Sequence, residues 1–180
     1  MKATGIVRRV DDLGRVVIPK EIRRTLRIRE GEPLEIFTDS DGAVIFKKYS
    51  PVGEFASSSA QYADAMNKAG GIAVAVCDKD SVIAVSGVPR REYIEKPISI
   101  GLSALLDKRQ SYYADERGDR ISLTDEVESH RISCLSPIIT DGSVVGAMMS
   151  LRTSDTPSGS DAEKQLISAG ALFLSKQLEI

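Results

Sequence analysis

Four basic side chains, Lys20, Arg23, Arg24 and Arg27, follow directly on Pro19 in the stretch RRVDDLGRVVIPKEIRRTLR, residues 8 to 27. Proline fits the first turn of a helix, where its missing N–H costs nothing, and the residues after it predict about two helical turns. At 3.6 residues per turn Ile22 and Leu26 share one side, while the four cations fall at i, i+3, i+4 and i+7 on another. Like charges at i,i+4 oppose a helix by roughly 0.2–0.5 kcal/mol per pair. Lys20/Arg24 and Arg23/Arg27 therefore ask for something anionic against them, and Glu21 gives only partial relief. The plain alternative is a solvated charged face. Upstream, however, Arg8, Arg9 and Arg15 add three more cations. Arginine forks match phosphate oxygens and guanine edges, so the whole pattern fits a DNA duplex.

Composition sharpens the point. The 180-residue chain is 42% hydrophobic and 28% charged, as a folded protein of one domain or two small ones should be. Its net charge of −2 hides an asymmetry: residues 1–29 carry nine Lys or Arg against three Asp or Glu, a balance of +6, leaving −8 for the remainder. A single-sign patch acts locally whatever the overall charge, and implies a polyanionic partner for that end. The opening residues MKATGIVRRVDD contain no apolar signal-like core, and no apolar run approaches the roughly 18 residues of a membrane span. A cytoplasmic protein with no membrane partner is expected. Cys77 and Cys134 lack CxxC spacing and His130 is the one histidine, too few ligands for a structural zinc site, so buried reduced thiols and no metal are expected.

The β-branched content predicts strands over 4–10 and 15–18, joined by Asp11-Asp12-Leu13-Gly14 with a glycine for the positive φ. After the helix come a turn at 29–32, a strand over 34–37, a hairpin turn at Asp39-Ser40-Asp41-Gly42 and a return strand over 43–49. A unit of about 50 residues with four short strands and one helix buries too little apolar surface to stand alone. It is expected as a dimer in which two chains complete each other's sheets.

The run TGIVRRVDDLGRVVIPKEIRRTL, within residues 1 to about 51, closely resembles the N-terminal domain of the AbrB-type swapped-hairpin transition-state regulators. The resemblance implies two hairpins interleaved in a dimeric barrel whose arginines reach DNA. Carried over by position, those arginines are Arg8, Arg15, Arg23 and Arg24, all of which the charge argument had also selected. Lys2, Arg9 and Lys20 are weaker candidates for flanking phosphates, with a solvated cation as the alternative for each.

Ser50-Pro51-Val52-Gly53 interrupts the pattern, dividing an expected DNA-binding domain (1–52) from a second domain (53–180). In the second, Phe55, Tyr62, Ala65, Met66 and Ala69 predict a connecting helix over 54–68, its stripe packing either on its own domain or on another subunit. Strands are predicted over 72–77 and 82–86. Two short helices should follow between 90 and 108, the second capped by Ser99 with Ile100, Leu102, Leu105 and Leu106 inward. Weaker strands near 111–113 and 120–123, a strong hairpin over 132–140 and 144–151, a loop over 153–159 and a closing helix over 161–178 complete the chain. This is an antiparallel α+β sheet flanked by helices, and its order resembles a GAF domain.

That second resemblance implies a small-molecule sensor or an assembly module, and the pair of resemblances implies control of sporulation genes, by activation or repression, with two dimers joined through their C-terminal domains. No cofactor is identified, and an effector in the C-terminal domain is left open. Tyr112, Tyr113 and the acids at 115, 116 and 119 are either pocket lining or surface. One GAF branch uses cysteines to reduce free methionine sulfoxide, but a thiol near its ordinary pKa of about 8.5 is a poor nucleophile without an electropositive neighbour, so an enzyme is not expected. Two readings stand beside that of a DNA-binding regulator: an antitoxin-like module, and a redox enzyme on the GAF scaffold.

Overall fold

Asp39 and Gly42 build the turn that folds residues 34–48 back on themselves. One Asp39 carboxylate oxygen accepts the amides of Asp41 and Ala43 at 3.1 and 2.8 Å, and Gly42 supplies a φ of 81°. The strands β1 (Leu34–Thr38) and β2 (Val44–Lys48) pair antiparallel, with Ile36 opposite Phe46. This hairpin lies in the first of two compact units, Met1–Tyr49 and Ser50–Ile180, of a computed structural model that describes residues 4–114, 121–153 and 159–179.

The first unit departs from expectation upstream. Among the described residues, 4–10 and 15–18 join no ladder; what ties them is the turn between them, where the Asp11 amide donates to the Arg15 carbonyl at 3.1 Å. β-branched residues favour extended backbone but do not supply a partner strand. Apart from half-buried Ile18, their apolar side chains therefore face solvent: Val7 is 87% and Val17 73% exposed. Both sides of the β1–β2 hairpin are also open, with Ile36, Phe37, Val44 and Phe46 uncovered. The helix α1 (Lys20–Thr25) stops two residues short of Arg27.

The second unit has its core on both faces of a five-stranded antiparallel sheet of order β4-β3-β7-β6-β5. The strands are β3 (Ala73–Asp78), β4 (Val82–Ser86), β5 (Tyr112–Tyr113), β6 (Arg131–Thr140) and β7 (Ser143–Arg152). Side chains alternate across a strand. In β3, Ala75 and Cys77 enter one cluster with Val85, Tyr93, Leu102 and Leu135, while Val74 and Val76 enter the other with Met66, Ile138, Met148 and Leu174. The first face is covered by α4 (Arg90–Tyr93), α5 (Ile100–Lys108) and Leu123; the second by α2 (Pro51–Glu54), α3 (Ala56–Gly70) and α6 (Asp161–Leu178).

Ser99 caps α5 as its sequence predicts, accepting from Leu102 at 3.0 Å, and Ser160 caps α6, accepting from Glu163 at 3.2 Å. Ser50 begins a separate turn, α2, by accepting from Gly53 at 3.0 Å, so the expected single helix over 54–68 is two pieces. Ile100, expected inward, is 79% exposed: it is the first residue of α5, and the face that packs is carried by Leu102 and Leu106. The strand expected over 120–123 is reduced, among the described residues, to one bridge between Ser122 and Arg131. Of the loop over 153–159, residues 154–158 lie outside the described residues, as do the acids at 115, 116 and 119.

The sheet tolerates almost nothing at Gly146 of β7. A Cβ there would stand 2.1 Å from the Cys77 carbonyl oxygen on β3. Overpacking a well-filled core costs up to about 3 kcal/mol, and a clash with backbone has the least room to relax. Gly146→Ala is expected to lower the unfolding free energy of the second unit by about that amount, measured by urea denaturation; wild-type stability would show that β3 and β7 are not so closely apposed.

Candidate nucleic-acid interface

Pro19, buried with φ −57°, sets the backbone from which α1 begins, and its carbonyl accepts the Arg23 amide at 2.9 Å. The short helix ends on two reversed bonds, Arg27 N–H to the Arg24 carbonyl at 3.2 Å and Ile28 N–H to the Arg23 carbonyl at 2.7 Å. This double closure requires a left-handed residue, usually glycine, and here Arg27 holds it with φ 54°. A side chain in that conformation costs roughly 1–2 kcal/mol. Arg27 thus leaves the helix and the i+7 position expected for it, and its repulsion with Arg23 along a helical face falls away. Lys20/Arg24 remains. Arg23 and Arg24 sit in the last turn and Glu21 in the first, where the helix dipole favours each.

Arg15 is held differently. One Asp11 carboxylate oxygen accepts the amides of Leu13 and Arg15 at 3.0 and 2.7 Å, and the other accepts Arg15 Nε at 2.8 Å. The clasp engages Nε and fixes the turn that Gly14 closes with φ 74°. Asp11 was not among the expected site residues. Its signal is the spacing of an Asp, a Gly three residues on and an Arg one further, which makes an aspartate-centred turn with the arginine in reach.

Among the described residues Arg8, Arg9, Lys20, Arg23, Arg24 and Arg27 have no carboxylate at ion-pair distance; Arg23 is half-buried and the others exposed. The lysines of β2 contrast with them: Lys48 pairs with Glu32 at 3.5 Å and Lys47 lies 4.8 Å from the centre of the Phe37 ring. Arg23 and Arg24 share α1, Arg15 stands on the turn before it, and Arg8 lies on the extended segment upstream. Lys2 lies outside the described residues.

The second unit offers less chemistry. Cys77 and Cys134 are free and buried in the cores on opposite faces of the sheet. Burial pushes the Cys77 thiol up to about 12, and burial, aided by the Glu163 charge, also raises Cys134. Neither is the activated thiolate that a redox enzyme needs. His130 Nδ1 lies 2.8 Å from the hydroxyl of buried Tyr93, a structural contact rather than a metal site. No cluster of three metal-binding side chains occurs among the described residues, and none of their helices is long and apolar enough to cross a membrane.

Asp11 carries a pH dependence. The Arg15 amide, then its guanidinium, holds the carboxyl below its ordinary 3.8. A depressed carboxyl contributes order above its unfolded value and loses it as pH falls through the folded one. The amide resonances of Leu13 and Arg15 are expected to move with a midpoint below 3.8 in an NMR titration, and to lose that step in Asp11→Asn. A midpoint at or above 3.8 would show that the clasp is absent in solution.

Comparison with known proteins accounts for both units. The family described as "Stage V sporulation protein T C-terminal, transcription factor" matches residues 52–179, and that described as "Antidote-toxin recognition MazE, bacterial antitoxin" matches residues 7–54. The transition state regulatory protein AbrB of Bacillus subtilis (strain 168) is 65% identical over 51 residues, 28% of this chain and 52% of that protein. The GAF domain of a phosphoenolpyruvate-protein phosphotransferase from Coxiella burnetii superposes with a TM-score of 0.52 at 12% identity, covering 69% of this chain and 82% of that one, a likeness of fold alone. An AbrB-like N-terminal domain is thus followed by a GAF-like one. Stage V sporulation protein T of B. subtilis (strain 168) is 46% identical over 180 residues, 99% of this chain and 99% of that protein. With a family match across most of its length and a relative aligned from end to end, this chain belongs to the stage V sporulation protein T family.

Proposed function

We propose that the chain is a transcription regulator of sporulation genes, both activator and repressor, that works in the cytoplasm. Its residues 1–52 bind duplex DNA as a swapped-hairpin dimer, and residues 53–180 sense a small molecule or mediate assembly. The observation that carries this reading is the set of cations at Arg8, Arg23 and Arg24, the first and last exposed and Arg23 half-buried, that no carboxylate among the described residues neutralises, in a unit whose lysines on β2 do find partners. Arg8, Arg15, Arg23 and Arg24 from each of two chains present eight guanidinium groups to the grooves and backbone of a duplex. Lys2, Arg9 and Lys20 reach flanking phosphates. Phosphate contacts dominate affinity, with modest base readout and a contribution from DNA deformability.

The dimer has its own support. The uncovered apolar side chains of residues 4–18 and of the β1–β2 hairpin are what a second copy would bury by pairing strands that one chain leaves without a ladder. A second seam lies on the other unit. Along α6 the exposed Leu166, Ala169, Leu172 and Phe173 form an apolar stripe, beside α3 with Tyr62 stacked on Phe173 at 5.0 Å. We assign this stripe to a second copy of the same unit, so that two dimers join as a tetramer. The MazE match favours an antitoxin reading for the N-terminal residues, but such antitoxins wrap their toxin with a disordered tail. Here the corresponding residues form a five-stranded sheet covered by helices.

Two measurements follow. With about eight phosphates neutralised per dimer, log K for a promoter duplex should fall with log salt at a slope near −7, and Arg23→Ala/Arg24→Ala should flatten it to about −4 at an unchanged Tm. Equal slopes would remove α1 from the interface. Leu172→Glu should halve the mass seen by light scattering while leaving the circular dichroism spectrum intact; an unchanged mass would take α6 out of the assembly.

A further inference from the structure

Arg27 stands where the backbone asks for glycine. The two bonds that close α1, from the Arg27 and Ile28 amides to the Arg24 and Arg23 carbonyls, are satisfied by any residue that tolerates φ 54°. Nothing inside the unit returns the cost of placing an arginine there: it is exposed, and no carboxylate among the described residues lies at ion-pair distance from it. Nor does the helix dipole call for it, because Arg23 and Arg24 already occupy the last turn of a six-residue helix and Arg27 stands beyond its end. A side chain held in the left-handed region without internal compensation points to use outside the molecule.

We propose that Arg27 is a further DNA contact, one that grips a phosphate beyond the end of α1. This rests on the DNA-binding reading above. The left-handed turn takes Arg27 off the face shared by Lys20, Arg23 and Arg24 and places it past the helix end, widening the cationic surface along the duplex. A contact at the edge of the footprint is made to the backbone, so Arg27 adds affinity that does not depend on base sequence. Left-handed backbone also fixes where the arginine leaves the main chain, and that fixed origin suits a single phosphate.

Full-length wild type, Arg27→Gly, Arg27→Asn and Arg23→Ala/Arg24→Ala are compared by thermal unfolding and by fluorescence anisotropy on A·T-rich and G·C-rich duplexes over a range of salt. Glycine and asparagine both accept the left-handed turn, so each should melt no lower than wild type. Each should nonetheless bind more weakly by the same factor on both duplexes, with a salt slope shallower by about 2, since two phosphates per dimer are no longer neutralised. Wild-type affinity and slope in both Arg27 variants, beside a weakened Arg23→Ala/Arg24→Ala, would overturn the assignment. So would weakening confined to one duplex, which would make Arg27 a reader of bases. A drop in Tm for both variants would instead make Arg27 structural. If Arg23→Ala/Arg24→Ala also binds as wild type does, the DNA-binding reading itself falls.

Discussion

Two-sided burial of β3 and β7 is the constraint on which the second unit depends. A strand covered on both faces sends alternate side chains into two separate cores, so every residue from Val74 to Cys77 is committed to one or the other. A shift of one residue would exchange the two sets. Antiparallel pairing of β3 with both β4 and β7 removes that freedom by fixing its register from either side. Gly146 permits the close approach of β7, and Gly170 does the same for α6, since a Cβ there would meet Met148 and Tyr62. The position of the α3 and α6 surfaces follows from this packing.

The first unit obeys a different limit. It carries strand-forming sequence that has no ladder within one chain, and each Val, Ile, Leu or Phe moved out of water contributes about 1.5–3 kcal/mol. Val7, Val10, Leu13, Val17, Ile36, Val44 and Phe46 are all uncovered. Covering them with a second copy, as the proposed dimer does, would contribute up to about 10 kcal/mol per chain, a large sum for a segment of this size. On that proposal the arginines are presented by a scaffold whose stability is tied to association.

The second unit was largely legible in the sequence because its strands are β-branched runs closed by turns such as Asp141-Gly142, and α5 begins at the expected cap Ser99. What was not legible depended on contacts distant in the chain. Whether Ile100 or Leu102 turned inward was decided by the helix's first turn, and the placing of Cys77 and Cys134 on opposite faces by the register of β3 and β6. In the first unit residue preferences marked 4–10 and 15–18 as extended but could not say whose strands they would meet. The charge count marked Arg8, Arg9, Arg15, Lys20, Arg23, Arg24 and Arg27 alike, and the family resemblance singled out Arg8, Arg15, Arg23 and Arg24 among them. It missed Asp11, since a net-charge argument counts that carboxylate as a subtraction when locally it is an anchor. It also placed Arg27 on the helix, because periodicity is blind to a left-handed end.

That anchor has a thermodynamic consequence. A free arginine carries about 2 kcal/mol of rotamer entropy, much of which is lost when the side chain is immobilised on a partner. With Nε already held by Asp11, Arg15 has given up part of that freedom before any encounter. Its association would be less opposed by entropy than that of Arg23 or Arg24, at the expense of a carboxylate carried toward a polyanion. These arginines would thus differ in how strongly temperature weakens them: the preordered one keeps more of its contribution on warming than the mobile ones do.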